Sequence, residues 1–139
     1  MIRLQLPAIA LLSVGCTSPA AVALVDESGT VPLEVFVTFA RSENERREGL
    51  RALPPLGMDE GLLLEFPVTG EVCIDNGGVP YAIDVIFLGD DRHVMDIARN
   101  LEANASDPSC VEGTRSVLEV RGGVASAASP GAELHLVHD

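Results

Sequence analysis

Asp84 is the polar residue whose setting most needs an explanation. It stands between Ile83 and Val85 in an apolar run. A carboxylate carried inward on such a strand needs partners, because burying it unpaired is costly. Arg46 and Arg115 are the partners expected. Two chemistries fit this trio. One is a structural ion pair that fixes a helix on a sheet. The other is an acid acting with an arginine, as in a hydrolase working on envelope material. The ion pair is preferred, because structural networks gather carboxylates and arginines as readily as active sites do. His93 follows a turn, and His135 and His138 lie near the chain end, where nothing holds them for catalysis. Asp75-Asn76 and Asp90-Asp91 are explained by turn chemistry. The chain has no Gly-x-Ser-x-Gly elbow, no His-Glu-x-x-His, no phosphate loop and no calcium loop.

The three cysteines have separate fates. Cys16 ends an apolar run, and Ser13-Val14-Gly15 puts small residues directly before it. A weakly positive start, an apolar stretch and a small-residue cleavage site read as a lipoprotein signal over residues 1–15. Cys16 would carry the lipid, and the protein would be a membrane-anchored lipoprotein of the cell envelope, in the periplasm or at the cell surface. The alternative is secretion after a cut at Ala23, since Ala21-Val22-Ala23 also fits a small-x-small site. Lipidation of Cys16 leaves Cys73 and Cys110, an even remainder in an oxidising compartment. They read as a disulfide, worth about 4 kcal/mol on the loop-entropy relation, or else as two buried thiols. A zinc site is not expected, because there is no Cys-x-x-Cys and no histidine clusters with either cysteine. No metal and no cofactor are expected.

Composition bounds the partners. Nine basic residues, all arginine, stand against 21 acids for a net charge of −12. Such a surface repels phosphate backbones, so nucleic acid is not an expected partner. The membrane is met through the N-terminal lipid, and the remaining partner is a small ligand or an envelope protein. Apolar residues make up 47% of the chain but aromatics only 4%, so aliphatic side chains must build the core.

These residues are positioned by short elements. Residues 16–30 read as a flexible tether and 31–139 as one globular domain. The alternation over 31–39 predicts a strand. Ser42 and Glu45 form a capping-box pattern that opens a helix over 43–51, which Pro54 and Pro55 end. Strands follow over 61–66 and 71–74, separated by a turn at 67–70. Residues 82–88 and 93–98 flank a turn as a β-hairpin. Residues 100–113 read as an irregular loop, 115–120 as a strand, 124–128 as one helical turn and 133–137 as a last strand. The class is α+β, mainly β: a small twisted antiparallel or mixed sheet closing into a partial barrel, with one short helix near the domain start.

Four stretches in this order resemble the family called domain of unknown function 192. They are Glu45-Arg46-Arg47-Glu48-Gly49-Leu50, Gly61 to Phe66, Ile83-Asp84-Val85-Ile86-Phe87 and Arg115-Ser116-Val117-Leu118-Glu119. The resemblance covers roughly 33–136, and it places Asp84, Arg46 and Arg115 all within family motifs. Some members carry cysteines where Cys73 and Cys110 fall, which implies the bridge. The family's central Phe-Trp-Met-basic-Asn-Thr stretch is Ile74-Asp75-Asn76-Gly77-Gly78-Val79 here, without its aromatics or its cation. The resemblance implies a fold and no established activity. The expected function is non-catalytic binding or scaffolding, with the Asp84 enzyme as the alternative.

Overall fold

The structure, a computed structural model, describes residues 20–137. Seven strands form one sheet: β1 (Ala20–Val25), β2 (Leu33–Ala40), β3 (Glu60–Ile74), β4 (Ile83–Leu88), β5 (Val94–Leu101), β6 (Ser109–Arg121) and β7 (Glu133–Val137). Their order is β5-β4-β6-β3-β2-β1-β7. Only β2 and β3 pair in parallel, and the crossover between them carries helix α1 (Glu43–Glu48) and a 3-10 turn (Gly49–Ala52). The capping box is as expected: the Glu45 amide donates to Ser42 Oγ at 3.1 Å, and Glu45 Oε1 accepts from the Ser42 amide at 3.0 Å.

The edge strands meet at one end. The Val94 amide donates to the Ala132 carbonyl and the Gly131 amide to the Val94 carbonyl, both at 2.8 Å. His93 and Glu133 form a bridge there. The sheet is thereby a half-barrel, closed at one rim and open at the other, in agreement with the expected partial barrel.

Both faces of the sheet are covered, so there are two cores. The concave side packs residues such as Leu24, Val35, Leu63, Ile86 and Leu118. The outer side packs Leu62, Leu64, Val85, Phe87 and Val117 beneath Leu50 of the 3-10 turn and Leu53 and Leu56 of the following loop. Strand β4 runs between the two, and all six of its residues are buried. That explains its near-continuous apolar sequence.

Several expectations are corrected. Residues 20–25, placed in a flexible tether, form β1, whose middle four residues are buried between β2 and β7. Small apolar residues packed on both faces leave no period of two to read. The turn at 67–70 is a bend within one long strand: β3 continues through it, with register shifts against β6 around Gly70. The loop at 100–113 is shorter than expected. Strand β5 reaches Leu101 and β6 starts at Ser109. Most of the strand extension over 109–113 is exposed, so its residues carry no apolar alternation. Residues 122–127 form a series of tight turns rather than a helical turn.

Candidate functional site

The disulfide is present. Cys73 and Cys110 face each other in the β3–β6 pairing, with Cα atoms 4.0 Å apart. It staples two exposed strand ends rather than a strand to a loop. Glu71 lies close to both sulfurs, but these are bonded to each other rather than available to a metal. Cys16 and His138 lie outside the described residues.

Asp84 is 1% exposed, as its apolar flanks implied. Its partners are different from those expected. Oδ1 accepts from the Asn100 amide at 2.8 Å, and Oδ2 accepts from the amides of Gly123 and Ala125, both at 3.0 Å. The ion pair with Arg46 or Arg115 is therefore replaced by backbone donors. Arg46 Nη1 donates to the carbonyls of Arg41 and Glu65, and its guanidinium lies over Phe66. Arg115 donates from Nε to the Phe66 carbonyl and from Nη1 to Asp90. The physical reason is local. The tight turns after β6 turn loose amides toward the sheet, and a carboxylate satisfies several of them at once.

A second buried acid has no such partners. Glu119 is 5% exposed and lies between Leu62 of β3 and Val85 of β4 in the sheet register. Both neighbours belong to the outer core. Its carboxyl makes no hydrogen bond or ion pair among the described residues. Burial pushes its pKa up to about 7; the Arg51 charge opposes the shift and the Asp75 charge adds to it.

Glu119 lines a crevice of about 180 Å³ between the sheet and the α1–3-10 segment. Arg51 and Asp75 pair beside it at 2.9 Å. Asp75 Oδ1 also accepts from the Gly77 amide at 2.7 Å, which sets the turn. Gly78 has φ +78°, and a Cβ there would lie 3.1 Å from Arg51 Nε, so glycine lets the arginine lie along the turn. Asn76, fully buried, ties this turn to the loop after β5. Its Nδ2 donates to the carbonyls of Tyr81 at 2.8 Å and Glu102 at 2.9 Å, while its Oδ1 has no partner. A shallower depression of about 480 Å³ continues along α1 past Phe66 and Val68. The two share Arg46, Arg47 and Cys73, so the disulfide braces one wall of both.

This arrangement offers a proton-holding acid at the base of a crevice with arginines at its rim. Sequence reasoning took Asp75-Asn76 as a turn and Glu119 as a motif residue only. The signal that singled out Asp84, one acid inside an apolar run, is equally present in Val117-Leu118-Glu119-Val120. His93 is beside Asp91, and His135 beside Glu133, both away from the crevice.

No curated protein matches the chain. Among solved structures, a candidate transcription regulator from Sinorhizobium meliloti 1021 superposes with a TM-score of 0.79 at 24% identity, which shows the shared fold. A protein of unknown function from Novosphingobium aromaticivorans DSM 12444 superposes with a TM-score of 0.77 at 26% identity. Each alignment covers 86% of this chain and 94% of the other. The sequence matches the DUF192 family, described as an uncharacterised ACR, over residues 23–136. The chain belongs to the DUF192 family, as the order of its four motif stretches implied.

Proposed function

We propose that the domain is exported, held at a membrane by lipid on Cys16, and binds a small zwitterionic ligand, of the amino-acid or short-peptide kind, beneath α1. The observation that carries the reading is Glu119, 5% exposed and without a hydrogen bond among the described residues, on the wall of an open crevice. A ligand ammonium meeting Glu119 would supply the charge the fold withholds. Exposed Arg47 and half-buried Arg46 at the rim suit a ligand carboxylate. The crevice lining carries no serine, threonine, histidine or unbridged cysteine, so a covalent route there would fall to its carboxylates, Glu119 and Asp75, and Asp75 is already paired with Arg51. The enzymatic alternative, Asp84 with Arg46 or Arg115, has little support, since backbone amides already engage both Asp84 oxygens.

Export is supported by the disulfide, because such bridges persist in oxidising compartments. Processing at Cys16 is supported by β1. A cut after Ala23 would remove Ala20 to Ala23, which pair with β2. No helix among the described residues is long and apolar enough to cross a membrane. The regulator description of the Sinorhizobium protein is not carried over, because a net charge of −12 opposes a nucleic-acid partner.

The test is an amide NMR titration with a panel of amino acids and dipeptides at neutral pH. Shifts confined to Asn76, Gly77, Gly78 and Glu119 are expected for at least one compound. A panel that leaves all four unmoved at millimolar concentration rejects the reading.

A further inference from the structure

The other face of the sheet carries an unmatched cation. Arg92 is the one described arginine whose guanidinium makes no hydrogen bond or ion pair with a described residue. Its neighbours are already neutralised, Arg115 by Asp90 at 2.7 Å and Arg41 by Glu65. Arg92 also occupies a costly position. It ends the β4–β5 turn with φ +66°, a left-handed conformation that glycine adopts freely and arginine does not. The backbone there is pinned, because the Arg92 amide donates to the Gly89 carbonyl and the Arg92 carbonyl accepts from the Leu134 amide, both at 2.9 Å.

Arg92, Ser116 and Glu65, the last paired with Arg41, line two adjoining hollows. One, of about 350 Å³, is polar and includes Arg115 and Asp90. The other, of about 150 Å³, is a mostly apolar slot lined from β1, β2, β3 and β7. Phe39, Leu63, Leu134 and Leu136 form its walls. Leu136 is 49% exposed, a large apolar side chain left in water on an edge strand. A single unpaired positive charge above a short apolar slot fits a monoanionic amphiphile. Arg115 adds its remaining Nη2, since Nε and Nη1 are already engaged.

We propose that these two hollows beside the closed rim of the half-barrel form a second binding site, for a medium-chain aliphatic carboxylate. The carboxylate sits on the Arg92 guanidinium, with Arg115 and the Ser116 hydroxyl beside it. The aliphatic tail lies between Phe39 and Leu136. The slot is too small for a long acyl chain, and because Asp90 and Glu65 neutralise Arg115 and Arg41, no second unpaired cation remains for a dianion.

The test is calorimetric titration of the domain with octanoate, octan-1-ol and acetate. Octanoate is expected to bind at least tenfold tighter than either of the others, which carry only tail or only head. Arg92→Gly separates a binding role from a structural one. Glycine suits the left-handed backbone, so this variant is expected to melt at a higher temperature while losing at least tenfold in octanoate affinity. Leu136→Ser, on the exposed edge, is expected to weaken octanoate and leave acetate unchanged. Equal octanoate binding by Arg92→Gly and the parent overturns the proposal, as does octan-1-ol binding as tightly as octanoate.

Discussion

Asp84 and Glu119 sit one register apart on paired strands and face opposite sides of the sheet: Asp84 stands across from Val120, and Val85 across from Glu119. Asp84 faces the concave core, where three backbone amides hold it. Glu119 faces the outer core and a crevice, with no donor of its own. Two buried carboxyls on opposite faces of one strand pair thus differ in their partners: one is held by backbone amides, and the other has none among the described residues.

The contrast predicts how stability follows pH. Glu119 has its pKa raised from 4.5 to about 7 in the folded state. Between those values the folded protein keeps a proton that the unfolded chain releases. Stability therefore falls as pH rises from 4.5 toward 7 and levels off above. The contribution lost is about 3 kcal/mol at 1.36 kcal/mol per pH unit. Glu119→Gln should flatten that fall, read by urea unfolding at pH 5 and pH 8. An unchanged slope in the variant would assign the effect to general surface charge instead.

Asp84→Ala should cost about 3–5 kcal/mol, since it strands buried amide donors at roughly 1–3 kcal/mol each. The same chemistry predicts that Arg115→Ala does not reproduce the loss. A double-mutant cycle of the two should give a coupling below about 0.5 kcal/mol. A coupling of several kcal/mol would restore the ion pair that the apolar flanks of Asp84 first implied.

Reduction of Cys73–Cys110 should lower stability by about 2–4 kcal/mol. The mature protein, unfolded without reductant, should show no alkylation at either cysteine by intact mass. Two alkylated cysteines would contradict an exported, oxidised domain.

Cys16→Ser should abolish membrane retention. The retained parent should carry a diacyl-sized mass addition on its N-terminal cysteine. A mature chain starting unmodified at Leu24 would show the other cut, at the expense of most of β1.

Much of this fold was legible because its strands carry local signals. Alternation marked β2, the capping box marked α1, and an acidic turn marked the β4–β5 hairpin. Strand β1 was not legible, because alanines buried on both faces look like a tether. The extension of β6 toward Cys110 was hidden for another reason: Val111 packs on the outer core, but its neighbours on that face, Ser109 and Gly113, are not large apolar residues, so no period shows. At the site, a buried acid at Asp84 followed from its apolar flanks, but its partners did not. Amides 16, 39 and 41 residues away carry no sequence mark, whereas arginines do. Glu119 carried the same mark as Asp84, yet which acid faces an opening depends on how α1 lies over the sheet, and pattern alone does not say.

The central claim is that Glu119 holds a proton near neutrality on the wall of an open crevice. Its side-chain carboxyl carbon, followed by NMR from pH 3 to pH 9, tests that claim most directly. The account predicts a midpoint near 7, moving lower when a zwitterionic ligand places its ammonium in the crevice. A midpoint close to 4.5, the ordinary value for glutamate, would contradict it.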